Sequence, residues 1–431
     1  MLIIADDVGK DKIGVYQQGD DATRPATPNI DRLAARGVRF TNAYSYAACS
    51  PTRATILTGR YGFRTGVGTV IRYRSDPVGL PQNEISLPEM LELGNAGYDH
   101  SHVGKWHLGV RRDHGRIDPL RQGFHWSAGA RRLQGYSEWS KLVNGELTHR
   151  SGYVTIDTTD DAIARANAMH EPWFLWVAYN AAHKPYHLPP LALHHQVNPG
   201  GDVVRLFAAM VESLDTEIGR LLSSIAPSVL ANTTIIFLGD NGTPAQVIPA
   251  SHKRPAKGSL SEAGINIPML VAGPVVPEYS RGLVCRALVN TTDIYATVAD
   301  IAGVALADAL PAGHVLDSFS VLPTLENPDA AAPIRRFAYA ERFKPNGPAP
   351  YEMRQEAIRD KRWKLLRIHQ PARTPPQIDR LFDLAAAEDG DDGKDLGPAP
   401  GVLSGDSLAA YHRLAHQLDL LNERPDTQPP P

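Results

Sequence analysis

Short apolar runs alternate with segments of helical periodicity over most of the chain. Residues 2–5, 173–179, 234–238 and 269–272 are brief, apolar and bounded by polar or turn-forming residues, and read as buried strands. Residues 29–36, 51–57, 204–225 and 290–301 read as helices. In the third of these, Leu206, Met210, Leu214, Ile218, Leu221 and Leu222 fall on one face. The alternation predicts an α/β domain built on a mostly parallel sheet, and in such sheets ligands gather at the carboxyl ends of the strands.

After about residue 325 the texture changes. Residues 358–368 look like a hairpin or meander, residues 380–384 like another strand, and residues 388–400 like an acidic loop with Gly and Pro. Leu408, Tyr411, Ala415, Leu418 and Leu421 mark an amphipathic helix, with Asp406 or Ser407 as its expected cap. The Pro-rich tail from about residue 424 is expected to be disordered. The reading is a large α/β domain over residues 1–325 and a smaller α+β domain over residues 326–431, with an antiparallel sheet and a terminal helix.

Composition narrows the function. Of 431 residues, 42% are hydrophobic, enough to bury a large core and to exclude global disorder. A formal net charge of -3 argues against nucleic acid as the main partner. No stretch reaches the roughly 20 apolar residues of a membrane span. With two cysteines, Cys49 and Cys285, there is no disulfide framework, so each is a small buried residue or one does chemistry. The first strand begins at once, with no lead-in and no signal peptide. That start reads as an internal methionine or a trimmed chain, with upstream residues, and any export signal, missing.

Two strand ends carry carboxylates. Asp6-Asp7 follows the first strand, and Asp240-Asn241-Gly242 follows the strand at 234–238. An isolated Asp-Asp pair is most often a solvated turn, and Asn-Gly most often a tight one. Together they offer four oxygen ligands, and adjacent carboxylates at a buried strand end call for a cation. No Cys or His cluster has zinc spacing, which favours calcium or magnesium. In Cys49-Ser50-Pro51-Thr52-Arg53, Pro51 suits the first turn of a helix, so Cys49 sits where free N–H groups favour an anion and Arg53 can point back at it. The cysteine phosphatase loop has five residues between Cys and Arg; three stand here, so that reading fails.

Cys49 to Arg53, continuing to Leu57-Thr58-Gly59-Arg60, resembles the signature of the type I sulfatases, members of the alkaline phosphatase superfamily. So do Asp6-Asp7 with Gly9, the leader Thr27 to Ala34 and Gly37 to Tyr44, Gly104-Lys105-Trp106-His107-Leu108-Gly109, Asp240-Asn241-Gly242, and Lys257-Gly258-Ser259-Leu260. The C-terminal segments 359–366 and 381–384 also look like the family's ending. The resemblance implies an alkaline phosphatase-like fold and an arylsulfatase-like sulfuric ester hydrolase. It further implies Cys49 converted to formylglycine by a formylglycine-generating enzyme, and one divalent metal, Ca2+ in preference to Mg2+. Asp6, Asp7, Asp240, Asn241 and modified Cys49 would hold the metal. Arg53 would steady the formylglycine hydrate, Lys105 and Lys257 would bind sulfate oxygens, His107 would be the base that releases sulfate, and His183 would protonate the leaving oxygen. Ala182 and Ala263 stand where the family commonly shows Pro and Gly, and neither change removes a chemical group.

The implied substrate is a sulfated small molecule or carbohydrate. His187, His194, His195 and His252, with Arg72, Arg74, Arg111 and Arg112, are candidates for shaping its pocket, although most are expected at the surface. Three alternatives stand beside this reading: a phosphonate or phosphate monoester hydrolase of the same superfamily, a non-enzymatic binding protein on the same fold, and an inactive protein with unmodified Cys49. A periplasmic or secreted location is implied by the resemblance alone.

Overall fold

The computed structural model describes residues 1–16, 24–111, 115–132, 135–249, 255–330, 333–385 and 392–423. Among these residues ten strands form one sheet: β1 (Leu2–Ala5), β2 (Gly37–Tyr44), β3 (Asp99–Gly104), β4 (Trp126–Arg132), β5 (Glu138–Val143), β6 (Glu146–Ser151), β7 (Trp173–Ala178), β8 (Ile235–Gly239), β9 (Asn266–Ala272) and β10 (Val284–Asn290). Their spatial order is β10-β2-β9-β8-β1-β7-β3-β4-β5-β6. β8, β1, β7, β3 and β4 run parallel, and β10 is parallel to β2. β9 is antiparallel to both β8 and β2, which brings β2 back to the direction of β8.

Strand alternation divides the core into two layers. Leu2, Ile4, Trp176, Ala178, Ile236 and Leu238 face one layer of helices, while Ile3, Ala5, Leu175, Val177, Ile235 and Phe237 face the other. Both faces are covered, so β1, β7 and β8 read as continuous apolar runs and are legible from sequence. The helix Val203–Ser223 buries Met210, Leu214, Ile218 and Leu221 as its periodicity predicts. β3 is different: Asp-His-Ser-His-Val-Gly is polar in sequence yet buried almost throughout, so periodicity misses it.

The five remaining strands form a second, antiparallel sheet in sequence order: β11 (Ala338–Lys344), β12 (Met353–Arg359), β13 (Trp363–His369), β14 (Gln377–Asp383) and β15 (Lys394–Ala399). The meander expected around residues 358–384 is therefore present. The helix Gly405–Glu423 lays Ala410, Leu414, Leu418 and Leu421 against Ile358, Leu365 and Leu381, and Tyr46 and Tyr61 of the first unit complete that core.

Three expectations are corrected. Asn290 closes β10 rather than opening a helix, because the Asp293 carboxylate accepts its N–H at 2.7 Å and starts the helix at Asp293. Residues 394–399, expected as loop, pair with β14 as its edge strand; the rest of that acidic segment lies partly outside the described residues. Asp406 and Ser407 lie inside the terminal helix rather than capping it, and Ser407 Oγ turns back to the Ser404 carbonyl at 2.7 Å. The tail from residue 424 lies outside the described residues.

Candidate active site

Five strands pointing the same way deliver the site. Asp6 and Asp7 follow β1, Lys105 and His107 follow β3, His183 follows β7, Asp240 and Asn241 follow β8, and Cys49 opens the helix Cys49–Thr58 after β2. The fold thus gathers at one sheet edge residues more than 230 positions apart: the Asp7 N–H donates to Asp240 Oδ1 at 3.1 Å across a separation of 233. The strand ends are stitched to one another. Asp6 N–H donates to the Ala181 carbonyl at 3.0 Å, Ala182 N–H to the Asp6 carbonyl at 2.8 Å, and Lys105 N–H to the Ala178 carbonyl at 2.8 Å. Gly104 makes the last contact available: it has φ +98, and a Cβ there would lie 1.9 Å from the Ala178 carbonyl oxygen.

The centre is a buried cluster of charge. Ligand atoms of Asp6, Asp7, Cys49 and Asp240 all lie within 4.8 Å of one another, and all four residues are buried. Cys49 Sγ is 3.4 Å from Asp6 Oδ1 and 3.8 Å from Asp7 Oδ1. Three cations answer the three carboxylates. Lys105 Nζ sits 2.5 Å from Asp6 Oδ2, Lys257 Nζ contacts Asp7 Oδ1, and Arg53 places Nε and Nη2 at 3.2 and 2.8 Å from Asp240 Oδ2. Arg53 also donates to the Lys105 carbonyl at 2.8 Å. Lys257 Nζ lies 3.5 Å from Cys49 Sγ.

These contacts set the ionisation. Burial, then Asp240 and Asp6, push the Cys49 thiol far up, so an unmodified Cys49 is a neutral and sluggish nucleophile. Burial opposes the charge on Lys257, yet the carboxylates of Asp7, Asp6 and Asp240 hold it protonated. Burial, reinforced by Lys105 and Arg53, drives His107 well below the usual imidazole range, leaving the ring neutral.

Two features show that the cluster is incomplete as protein alone. Asn241 Nδ2 donates to Asp7 Oδ1 and the Gly242 carbonyl, both at 3.0 Å, while its buried Oδ1 has no partner. His107 Nδ1 is likewise buried and unpartnered. Asp7 and His107, both at φ +66, occupy the left-handed region that only glycine enters freely. An orphaned amide oxygen beside three carboxylates is a donor set that fits a hard divalent cation.

Every sequence-predicted ligand and catalytic candidate lies on this edge, with His183 at its rim and half-buried. Its Nδ1 is 2.8 Å from the Lys184 carbonyl. Sequence reasoning missed the supports. Ser50 Oγ donates to the His107 carbonyl at 2.9 Å and accepts from Ile71 N–H at 3.0 Å, and Tyr136 donates to the carbonyls of Asn180 and His183 at 2.6 and 2.7 Å. Neither has a local pattern that would reveal it. His194 is buried rather than at the surface, its Nε2 3.2 Å from the Pro189 carbonyl, and His187 packs on Tyr136 with ring centroids 4.3 Å apart. His195 is exposed. Arg74 and Arg111 line a hollow of about 500 Å3 with Tyr73, Arg116 and Ile117. Arg112 and His252 fall outside the described residues.

A family model described as Sulfatase matches residues 1–304. Human N-acetylgalactosamine-6-sulfatase is 31% identical over 366 residues, which cover 75% of this chain and 65% of that protein. The chain thus spans just under two thirds of the curated relative's length. The crystal structure of Ps i-CgsB in complex with k-i-k-neocarrahexaose superposes with a TM-score of 0.74 at 25% identity, covering 99% of this chain and 92% of that one. BT4656 in complex with D-glucosamine-2-N,6-O-disulfate gives a TM-score of 0.76 at 19% identity over 99% of both chains, a likeness of fold.

Proposed function

This chain belongs to the sulfatase family, and from that premise we propose that it hydrolyses a sulfate monoester to an alcohol and inorganic sulfate. The buried cluster of Asp6, Asp7, Asp240 and Cys49 beside the unpartnered Asn241 Oδ1 carries the reading. Asp6, Asp7, Asp240, Asn241 and modified Cys49 would hold one divalent cation, Ca2+ before Mg2+. When bound, that cation polarises sulfate oxygens and lowers the pKa of the attacking hydroxyl.

Cys49 acts as formylglycine. Its hydrate carries two hydroxyls on one carbon. One attacks sulfur, the S–O bond to the alcohol breaks, and His183 gives the leaving oxygen its proton. His107, held neutral, then takes the proton of the second hydroxyl; the C–O bond to sulfate breaks and the aldehyde reforms, to be rehydrated by water. Lys105 and Lys257 bind sulfate oxygens. Arg53 steadies Asp240 and, from one helical turn away, the hydrate.

The names of the relatives point to sulfated carbohydrate, and Arg74, Arg111 and Arg116 would receive further anionic groups of such a chain.

Comparing kcat/KM on aryl sulfate and aryl phosphonate esters tests the reaction. A large preference for sulfate is expected, and a large preference for phosphonate sinks it. Peptide mass spectrometry over Cys49 tests the nucleophile: an intact thiol in active protein rules formylglycine out. A panel of sulfated mono- and oligosaccharides beside an aryl sulfate identifies the substrate class.

A further inference from the structure

The opposite end of β3 carries a second cluster. His100 is the second residue of β3, and four residues of extended chain put it about 13 Å from Gly104, where the active-site edge begins. Glu92 from the helix Leu87–Leu93 and His125 from the lead-in to β4 meet it there. Glu92 Oε1 is 3.0 Å from His125 Nε2 and 3.8 Å from His100 Nε2, and the two imidazole rings lie with centroids 3.9 Å apart.

His100 is the telling member. It is fully buried, and neither ring nitrogen makes a well-formed hydrogen bond, the Gly123 backbone giving it only a weak polar contact. A core histidine serving only packing would satisfy at least one nitrogen, since each buried unpaired group costs about 1–3 kcal/mol. His125 is oriented from behind. Its Nδ1 lies 3.2 Å from Asp99 Oδ1, which leaves Nε2 facing Glu92 in the carboxylate–histidine arrangement that aligns metal-bound imidazoles. Arg165 Nη2 stands 3.8 Å from Asp99 Oδ2 on the far side.

We propose that Glu92, His100 and His125 form a second metal site, for a borderline divalent ion such as Zn2+, remote from the catalytic centre. Ligands about 2.0–2.1 Å from a tetrahedral ion stand about 3.3 Å from one another. The observed 3.0 and 3.8 Å from Glu92 bracket that value, and the two rings, whose centroids stand 3.9 Å apart, would swing apart to about 5 Å to aim both Nε2 atoms at one ion. Three protein ligands leave the fourth position to water. The imidazole-rich set separates this site from the oxygen-rich one at the other edge, which suits a hard cation. Bound there, the ion ties the helix Leu87–Leu93 to β3 and to the start of β4.

The test uses the full chain, stripped with chelator and titrated with Zn2+ under excess Ca2+. Wild type is expected to bind one more equivalent than His125→Gln or Glu92→Gln. Both side chains are about half exposed, and melting curves verify that the variants fold. Asp99→Asn keeps all three ligands and is expected to weaken binding by about 10–100-fold. Co2+ is expected to give the visible absorption of a nitrogen-ligated site in wild type and not in His125→Gln, while ester hydrolysis by that variant is unchanged. Equal Zn2+ stoichiometry and affinity in wild type and both ligand variants overturns the proposal, as does wild type that binds no Zn2+.

Discussion

The active site and the seam between the two sheets each hold a buried charge cluster, and these two are built on opposite principles. At the active site, three carboxylates and three cations cancel, yet Asn241 Oδ1 and His107 Nδ1 are left without partners. Where the two sheets meet, Glu262 is saturated. Its Oε1 accepts from the Tyr44 hydroxyl and from Lys364 Nζ at 3.1 Å, and its Oε2 accepts from Arg359 Nη1 and Asn266 Nδ2, both at 3.1 Å. Asp392 takes the other side of Lys364 Nζ at 2.7 Å. A saturated carboxylate holds two units together; a cluster with spare acceptors is kept for a ligand.

Substitutions pull the two clusters apart. The largest effect is expected for Cys49→Ala, which removes the proposed nucleophile: kcat falls by about 10^4-fold or more, while unfolding free energy changes by about 1 kcal/mol. Steady-state assays and denaturant melts on the same sample check the split, and chelation is expected to abolish turnover just as fully. Glu262→Gln reverses the pattern. It leaves Arg359 buried without its anion and Lys364 with Asp392 alone, so stability drops by about 3 kcal/mol while turnover per folded molecule stays within about twofold. A kcat loss larger than the stability loss would erase the distinction.

Acid sharpens it further. Although burial alone raises the Glu262 carboxyl, Lys364 and Arg359 hold it at about 2 in the folded protein, below its unfolded value. A depressed carboxylate stabilises the fold above the unfolded pKa of about 4.3 and loses that stability as pH falls toward the folded value. Wild type should therefore lose on the order of 3 kcal/mol from this group between about pH 4.5 and 2, and Glu262→Gln should show a flatter acid limb. The smallest effect has the opposite sign. Burial, with Glu356 adding to it against Arg354, raises the Glu341 carboxyl to about 7. A raised carboxyl stabilises fully below the unfolded pKa and loses that contribution as pH rises through the folded one. Stability should fall by about 1 kcal/mol between pH 6 and 8, and Glu341→Gln should remove that slope.

Legibility follows the local signal. β1, β7 and β8 are buried on both faces and announce themselves as apolar runs, so the carboxylates that follow β1 and β8 are placed at strand ends by the pattern of residues alone. Lys105 and His107 follow β3, whose polar sequence hides a buried strand; only the resemblance of Gly104 to Gly109 to a sulfatase signature picks them out. Ser50 and Tyr136 act through side-chain hydrogen bonds to the backbone of distant residues, and Glu262, Arg359 and Lys364 meet only when the two sheets meet. No spacing encodes such contacts, because the chain between the partners is arbitrary. Asn290 reads as helical for a related reason: its neighbours are helical in composition, and one carboxylate contact moves the boundary.

The position of β1 between β7 and β8 also sets a timetable for biosynthesis. The 233 residues between Asp7 and Asp240 take about 10–50 s to emerge at a ribosomal rate of 5–20 residues per second. Until then the first strand has no neighbour on that side, and its apolar residues are exposed to chaperones and to other nascent chains. The same interval bounds access to Cys49, which is 1% exposed once the sheet closes. If Cys49 is rewritten as proposed, the modifying enzyme must reach it on a chain still being made, or one held unfolded.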